Sequence, residues 1–478
     1  MLQVCTLVIL LPLVRPETIV HLFEWSHEDV AKECNRFLAP YGYSAVQVSP
    51  VNEHAILNGR PWYERYQPIS YVLKSRSGNK AAFKNMVESC NKVGVKVYVD
   101  VIFNHMTANL PPGTKGTGNS VPDTANEKYP AVPYGPKDFH APCSIEDWKD
   151  RWQIRNCELL GLHDLNQTSE YVRGKIVGFL NELVDIGVSG FRVDAAKHME
   201  PSDLQVIYQR VHNLNPRWFP KGSRPYFYQE IAGYPDDDVI KPQEYTSLGG
   251  VMDFKYGFEL ARAFNKENKL KWLRTFGKRW GLVAWKDSVV FVDNHDTQRD
   301  GINDRPALTY KQGKQYKMAV GFMLAWSHTR ARVMSSYYFD KKEQGPPSYP
   351  VIVNEDLTCS GGWVCEHRWH QIYNMVAFAK VVEGTAVSHW WDNGNYQIAF
   401  SRGSEGFIAI NAEDKDLDSE IQTSLEPGVY CDVISGLKQG SKCTGSQVTV
   451  KNNGKAHIKI AANALDGFIA IHSKSKIR

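Results

Sequence analysis

Short runs of apolar and β-branched residues recur through the N-terminal two thirds of the chain, and most are followed by a segment with helical periodicity. Several runs are apolar on both faces, which is typical of parallel strands covered by helices. Between them, residues such as Phe83, Val87 and Cys90 recur at the spacing of one helix face. Eight strands are predicted: Ile19–Phe23, Ala45–Val48, Val95–Ile102, Gly190–Val193, Tyr226–Ile231, Val251–Phe254, Ser288–Val292 and Arg330–Met334.

This alternation of strand and helix predicts an α/β fold with a parallel sheet. Eight such units favour a closed (β/α)8 barrel, the TIM barrel. A doubly wound open sheet is the alternative, but no G-x-G-x-x-G motif follows an early strand to support it.

Two stretches interrupt the alternation. Residues 103–170, after the third strand, are irregular and rich in Pro, Gly, Asn and Asp, and an insertion of this length is usually functional or a small domain. After residue 385, short strands alternate with turns, which predicts a C-terminal antiparallel β-sandwich domain. Its clearest strands are Tyr396–Phe400, Gly406–Ile410, Gln447–Val450, His457–Ile460 and Gly467–His472. The predicted domains are a barrel at 17–102 and 171–385, an inserted domain at 103–170 and an all-β domain at 386–478.

The net charge and the N-terminal segment indicate where the protein is located and which kinds of partner it does not bind. The net charge is +4 without a dense run of Lys or Arg, which argues against binding to nucleic acid or to a membrane surface. Val4–Val14 is an apolar run too short to span a bilayer and typical of the core of a signal peptide. Residues 1–16 are therefore expected to direct export, and no later run is long and apolar enough to form a membrane helix.

The nine cysteines support an oxidising compartment. No C-x-x-C pair occurs, so a zinc site or a thioredoxin-like redox motif is disfavoured. Four disulfide bridges with Cys5 left over are expected, and the alternative is a set of reduced, buried thiols in a cytosolic protein.

Acidic residues stand where four of the predicted strands end. They are Asp100, Asp194, Glu230 and Asp296. Catalytic side chains of a (β/α)8 barrel come from these strand ends. Any one of the four alone could be a strand-end cap or part of a structural ion pair, but an unpaired buried carboxylate is costly, so four together indicate a site. Side chains alternate along a strand, so Arg192 is expected on the same face as Asp194, where its charge favours the ionised carboxylate.

Paired carboxyl groups of this kind are what glycoside hydrolysis requires. A retaining enzyme uses one as the nucleophile and the other as the acid/base, roughly 5–5.5 Å apart. We assign Asp194 as the nucleophile and Glu230 as the acid/base. Glu230 follows the aromatic pair Phe227 and Tyr228, and an apolar setting is expected to raise its pKa. Asp296 is expected to hold sugar hydroxyls and to favour the distorted ring.

At these residues the chain resembles the animal α-amylases of glycoside hydrolase family 13, from about Thr18 to near the C-terminus. Four segments carry the resemblance, in the family's order: DVIFNH from Asp100, GFRVDAAKH from Gly190, YQEI from Tyr228 and FVDNHD from Phe291. The aromatic loop PWYERYQ from Pro61 is similar to the family's sugar-stacking loop. One segment alone is weak evidence, whereas four in register are specific.

The resemblance implies endo-hydrolysis of α-1,4 bonds in starch, glycogen and malto-oligosaccharides by a secreted, digestive, monomeric enzyme. It agrees with the catalytic roles assigned above. Substrate contacts are implied for Trp62, Tyr63, Tyr66, Gln67, Asp100, His105, Arg192, Lys197, His198, Ile231 and His295. One structural calcium ion is implied at Asn104, Arg155, Asp164 and His198, and an activating chloride at Arg192, Asn294 and Arg332. The implied disulfides are Cys34–Cys90, Cys143–Cys157, Cys359–Cys365 and Cys431–Cys443.

Two other functions remain open at this point. A relative could act on short oligosaccharides or transfer glycosyl groups, and product analysis separates that case from the endo-hydrolase. A degenerate barrel could serve only as a binding scaffold, but such relatives typically lose catalytic carboxylates. The three assigned here, Asp194, Glu230 and Asp296, are all present. Residues 297–306 contain a single glycine where relatives often carry a glycine-rich mobile loop, so no gating role is expected of them.

Overall fold

The computed structural model describes residues 16–234, 236, 238–301, 305, 307–326 and 330–478. Eight parallel strands close into a barrel, in the spatial order β1-β8-β7-β6-β5-β4-β3-β2. They are β1 Glu17–Leu22, β2 Ala45–Val48, β3 Lys96–Val101, β4 Gly190–Val193, β5 Tyr226–Gln229, β6 Gly250–Asp253, β7 Ser288–Phe291 and β8 Arg330–Ser335. All eight predicted strands, and with them the (β/α)8 barrel, are confirmed.

Helices lie between the barrel strands. They are α1 His27–Glu33, α2 Lys80–Lys92, α3 Arg151–Asn156, α4 Glu170–Ile186, α5 Pro201–Arg210, α6 Phe254–Phe264, α7 Thr297–Asp300, α8 Gly313–Ala325 and α9 His370–Val381. In α2 the predicted stripe is the buried face, and the side chain of Asn79 caps the first turn by accepting a bond from the amide of Ala82. The apolar stripe of each such helix covers the outer face of the barrel strands, which explains why those strands are apolar on both sides.

The insertion after β3 folds back onto the barrel mouth. Residues His105 and Asp164, at its two ends, form an isolated backbone bridge, and the amide of Leu165 donates to the carbonyl of Asn104 at 2.9 Å. Helix α3 lies within the insertion and is capped by Asp150, whose carboxylate accepts from two amides of the first turn. The insertion is therefore held at the end of the barrel where the acidic strand ends lie.

Two four-stranded antiparallel sheets form the C-terminal domain, in the orders β9-β10-β11-β16 and β12-β15-β14-β13. The strands are β9 Val387–Asp392, β10 Gln397–Arg402, β11 Gly406–Asn411, β12 Leu417–Gln422, β13 Gly428–Cys431, β14 Gln447–Val450, β15 Lys455–Ile460 and β16 Phe468–His472. Apolar residues of both sheets, such as Phe407 and Ile458, share one core. The predicted all-β domain is confirmed, although β9, β12 and β13 were not among its predicted strands.

Short strand pairs and disulfide bridges link further segments of the chain. Two-residue antiparallel pairs join Lys74–Ser75 to Gly78–Asn79, Ile352–Val353 to Cys359–Ser360, and Lys438–Gln439 to Lys442–Cys443. The four expected disulfides are all formed, and this confirms the pairing. Among the described residues, every helix is too short or too polar to cross a bilayer. The expected export segment lies outside the described residues, except for Pro16, and so does Cys5.

Candidate active site

A cleft of about 820 Å³ opens at the C-terminal ends of the barrel strands. Asp194, Glu230 and Asp296 line it together with the aromatic loop after β2. Strands β4 and β5 end directly before Asp194 and Glu230, and Asp296 lies in the segment that follows β7, so the barrel brings together residues that are far apart in sequence. The volume falls in the range of clefts that bind small ligands.

The guanidinium of Arg192 lies at the centre of the carboxylates. Its Nη1 atom donates to Asp100 Oδ1 at 2.8 Å and to Asp194 Oδ1 at 2.6 Å, and its Nη2 atom donates to Glu230 Oε1. Arg192 is fully buried. Asp194 and Glu230 are thus held by two nitrogens of one planar group, on the floor of one cleft.

Glu230 is held on its second oxygen by the backbone. The amide of Ala195 donates to Glu230 Oε2 at 2.9 Å, and Ala195 has the left-handed backbone conformation, with φ of 48°. The apolar setting predicted for Glu230 is wrong, because the aromatic pair before it points elsewhere. Phe227 stacks on Tyr208, with ring centroids 3.8 Å apart, and the hydroxyl of Tyr228 donates a hydrogen bond inside the barrel.

Burial and mutual repulsion govern the ionisation of the cleft. Burial raises the pKa of Asp194 well above its usual range, against the opposing charge of Arg192. Burial, followed by the negative charge of Glu230, raises the pKa of Asp296 to about 7. Burial also raises the pKa of Asp100, and Arg192 opposes this rise. One guanidinium serves several buried carboxylates, so its charge does not offset the effect of burial on the pKa of Asp194, Asp100 and Asp296. The expectation that Arg192 alone keeps Asp194 ionised neglected this burial.

The aromatic loop forms one wall of the cleft through the short 3-10 helix Trp62–Tyr66. The ring of Tyr66 stacks on His295, with centroids 5.2 Å apart and planes 11° apart, and its hydroxyl donates to Asp100 Oδ2 at 2.9 Å. Trp62 meets the edge of His295 at 5.4 Å, while Tyr63 is exposed at the rim. The loop therefore offers aromatic faces to a sugar and fixes the histidine that precedes Asp296.

The other predicted substrate residues lie in three different places. Gln67, His105, Lys197 and His198 line the cleft with the residues already named. Asp100 and Arg192 lie beneath its surface: Arg192 contacts Asp194 and Glu230, and Asp100 accepts hydrogen bonds from Arg192 and Tyr66. Ile231 is not brought into the cleft, because its side chain packs in the hydrophobic core.

Several cleft residues were not predicted from the sequence. Asp238 accepts a bond from Lys197 Nζ at 2.7 Å and lines the cleft. The insertion contributes an apolar rim consisting of Trp148, Leu159, Leu160 and Leu162. A run of leucines inside an otherwise polar insertion was a usable signal for this rim, whereas Asp238 lies in a loop with no distinguishing pattern.

The residues expected to bind calcium lie where the insertion meets the barrel. Asn104 Oδ1 is buried without a hydrogen-bond partner among the described residues, which leaves an oxygen free for a cation. Asp164 is buried nearby and its Oδ2 atom bonds His140 Nδ1 at 2.6 Å, while burial raises its pKa to about 7. His198 Nδ1 bonds the carbonyl of Ile154 in α3 at 2.8 Å, and Arg155 is in the last turn of that helix. Carboxylate, amide and carbonyl oxygens are the donor set that calcium prefers.

The residues expected to bind chloride lie deeper in the barrel. Arg332 is fully buried, and its Nε and Nη2 atoms have no acceptor among the described residues, nor does Arg192 Nε. Burial lowers the pKa of Arg332, and the charge of Arg192 lowers it further. Asn294 bonds Asp296 through Nδ2 at 3.4 Å. Buried cationic donors without acceptors fit an anion between the two arginines.

Comparison with known proteins agrees with this geometry. The catalytic-domain model of α-amylases matches residues 36–331, and the model of their C-terminal all-β domain matches residues 389–474. The chain is 50% identical to an α-amylase of Tenebrio molitor over 467 residues, covering 96% of this chain and 98% of that protein. It is 49% identical to an α-amylase of Tribolium castaneum over 469 residues, covering 96% and 94%.

Among solved structures, a mutant of α-amylase I from Eisenia fetida in complex with maltohexaose matches with a TM-score of 0.91 and 41% identity, covering 96% of this chain and 97% of that one. The resemblance carried by the four sequence segments is thereby confirmed. The chain belongs to the α-amylase family of glycoside hydrolases, which hydrolyse internal α-1,4-glucosidic bonds.

Proposed function

We propose that this chain cleaves starch, glycogen and malto-oligosaccharides by a retaining double displacement, with Asp194 as the nucleophile and Glu230 as the acid/base. The observation that carries the assignment is the shared guanidinium of Arg192, which holds both carboxylates on the cleft floor. Retention requires two carboxyl groups close enough to act on one glycosidic bond from opposite sides.

In the first step Asp194 attacks the anomeric carbon while Glu230 gives its proton to the departing glycosidic oxygen, which leaves a glycosyl ester on Asp194. In the second step Glu230 takes a proton from water, and the water oxygen replaces Asp194 at the anomeric carbon. The amide of Ala195 stabilises the carboxylate of Glu230 after it has lost its proton.

Asp296 and the aromatic loop act on the sugar ring rather than on the bond. His295 Nε2 lies 3.4 Å from Asp296 Oδ2, so the two side chains form a polar pair beside the catalytic carboxylates. We assign this pair to the hydroxyls of the distorted ring, with Trp62 and Tyr63 stacking on neighbouring glucose units. Contacts that strengthen as the ring distorts lower the barrier, whereas the stacking contributes mainly to binding.

We assign a structural calcium ion to Asn104, Asp164 and the carbonyls of Arg155 and His198. The support is the unpartnered oxygen of Asn104 beside a buried carboxylate, at the junction of insertion and barrel. When bound, the ion adds positive charge at this junction and joins the cleft wall to the barrel. Asp164 is expected to lose its proton on binding, because burial now holds its pKa near 7.

We assign chloride to Arg192, Asn294 and Arg332. In this structure the guanidinium of Arg192 contacts Glu230. An anion held by these residues would offset part of the positive charge beside the catalytic carboxylates. Chloride is therefore expected to activate the enzyme rather than to contribute to its fold alone.

Location, assembly and domain limits are also proposals. Four disulfides are typical of a secreted protein, and we propose a secreted, monomeric digestive enzyme. The domain limits of 17–102 with 171–385, 103–170 and 386–478 are supported by the order of the observed elements.

An oligosaccharide blocked at its non-reducing end tests the endo-mode, because only an enzyme that cuts internal bonds releases product from it. Asp194→Asn and Glu230→Gln are each expected to lower turnover by at least about 10⁴-fold, with far-ultraviolet circular dichroism unchanged. Asp418→Asn, an exposed carboxylate of the C-terminal domain, is the matched control and is expected to keep full activity. Near-normal turnover in either active-site variant would refute the assignment.

A further inference from the structure

We propose that the insertion binds a divalent transition metal of the zinc class at Glu127, Glu158 and His163, apart from the calcium site. The three side chains lie around a surface cavity of about 330 Å³. Each offers one ligand atom, and these atoms all lie within 4.8 Å of one another. We call these three residues the insertion triad. None of them has a part in the catalytic steps or in the calcium site described above.

His163 is the centre of the insertion triad. Its Nδ1 atom is 2.8 Å from Glu158 Oε1 and 3.9 Å from Glu127 Oε1. Two ligands of a tetrahedral zinc ion, each about 2.0–2.2 Å from the metal, are about 3.3–3.6 Å apart. The observed separations lie on either side of that range, so small side-chain rotations are enough to place all three ligand atoms around one ion.

The polar atoms of the insertion triad are under-used within the chain. His163 is 5% exposed, and its Nε2 atom has no hydrogen-bond partner among the described residues. The bond between His163 and Glu158 is the single side-chain hydrogen bond of the triad there. Lys128 also lines the cavity, but it is exposed and forms no ion pair with either carboxylate. Buried polar groups normally find partners, and a cation between the two carboxylates would supply one.

The backbone fixes two of the three ligands in advance. Glu158 follows Cys157, which is bridged to Cys143, and the amide of Glu158 donates to the carbonyl of Cys143 at 2.8 Å. The amide of His163 donates to the carbonyl of Thr107 at 3.0 Å. Because these segments are already ordered, binding an ion there costs little conformational entropy.

The insertion triad and the calcium residues lie on opposite faces of one extended segment. His163 directly precedes Asp164, which pairs with His105 in a backbone bridge. Side chains of successive residues in extended chain point to opposite sides. The carboxylate of Asp164 accordingly bonds His140, whereas the ring of His163 bonds Glu158. Both sites can therefore be occupied at the same time.

The chemistry of the ligands favours zinc over calcium. Calcium takes six to eight oxygen ligands, whereas zinc takes four ligands and accepts imidazole nitrogen together with carboxylate oxygen. Three protein ligands leave the fourth position to a water molecule, which the open cavity can admit. Other divalent metals that accept imidazole are expected to compete for the same site.

A metal at the insertion triad would also hold the rim of the catalytic cleft. Glu158 and His163 bracket the segment that supplies Leu159, Leu160 and Leu162 to that rim. An ion would join both ends of this segment to the turn that carries Glu127. Because the three ligands come together only in the folded chain, zinc is expected to stabilise the folded state.

Zinc binding to the whole chain, measured by equilibrium dialysis in excess calcium, tests the proposal. The calcium keeps zinc out of the calcium site. We expect one zinc ion per chain, and Glu127→Gln and His163→Gln are each expected to weaken its binding by at least about tenfold. His212→Gln is the matched control, because His212 pairs with a single carboxylate, Asp185 at 3.1 Å, on an exposed surface. It is expected to bind zinc as the wild type does.

Thermal unfolding with and without zinc is the second measurement. Zinc is expected to raise the midpoint of the wild type and of His212→Gln, but not that of Glu127→Gln. Unchanged far-ultraviolet circular dichroism checks that Glu127→Gln, which replaces the carboxylate by an amide of the same shape, is folded. Wild-type zinc binding in both triad variants, or an equal loss in His212→Gln, would overturn the proposal. Displacement of the bound zinc by excess calcium would do the same.

Discussion

Arg299 is expected to hold the substrate-binding wall of the cleft in place although it does not line the cleft. It lies in α7, directly after Asp296, and its guanidinium is 4.9 Å from the ring of Trp62 and 4.4 Å from that of Phe339. It donates hydrogen bonds to the carbonyls of His295 and Lys342 and to the hydroxyl of Tyr337. Replacement by methionine keeps an unbranched apolar stem but removes the charge and every donor.

The expected loss follows from the two contacts that reach cleft residues. A hydrogen bond from a charged donor, as to the His295 carbonyl, contributes about 1.5–3 kcal/mol. A cation–π contact at a partly exposed site, as to Trp62, contributes about 0.5–1 kcal/mol. Arg299 is itself partly exposed, so we take the lower half of the sum, about 2–3 kcal/mol. That corresponds to a fall of about 30- to 150-fold in kcat/KM.

Steady-state kinetics on maltohexaose measure this effect. For Arg299→Met we expect a higher KM from the loosened Trp62 and a lower kcat from the displaced His295, and for Arg299→Lys a partial recovery. Arg217→Met is the matched control, because Arg217 also stacks on an indole, that of Trp218 at 4.6 Å, but on a remote surface. If Arg299→Met keeps kcat/KM within twofold of the wild type, the positioning argument fails.

Three further predictions concern ionisation and ions. Burial, followed by the charge of Asp293, raises the pKa of Glu366 to about 8, so the folded state binds a proton that the unfolded state has released, and stability falls as the pH rises from about 4.5 towards 8. Glu366→Gln is expected to remove this fall, seen as a thermal midpoint that exceeds the wild-type value increasingly as the pH rises. Asp164→Asn is expected to raise the calcium concentration that protects against thermal inactivation by at least about tenfold. Arg332→Gln is expected to abolish the rise of kcat in a chloride titration. An unchanged pH slope, calcium requirement or chloride response, respectively, would contradict each prediction.

The barrel was predictable because local pattern and tertiary role coincide in it. Each barrel strand is a short apolar run whose buried faces leave a direct mark on the sequence, as in Gly190–Val193. The C-terminal strands are less regular. Leu417–Gln422 carries exposed Asp418 and Glu420 on one face, and Gly428–Cys431 has only four residues, so neither stands out from the turns around it.

The residues of the candidate site were predictable from the sequence, but the contacts and charges around them were not. Carboxylates at strand ends locate Asp194 and Glu230, since the fold brings those ends together. The surroundings of Glu230 depend on which way Phe227 and Tyr228 point and on the amide of Ala195, which lies after a different strand. No local pattern encodes either. The rim formed by the insertion likewise depends on how that segment folds back, which sequence spacing does not record.

The bond from the Ala195 amide to Glu230 links the main chain beside the nucleophile directly to the proton donor. The relative placement of the two carboxyl groups therefore depends in part on the peptide geometry at Ala195. Loops around the cleft can change length or composition, and so alter which sugars fit, while the configuration of the released anomeric centre stays the same. This tolerance of loop changes requires the left-handed backbone conformation at position 195. Branched side chains disfavour that conformation and would disturb both acids at once.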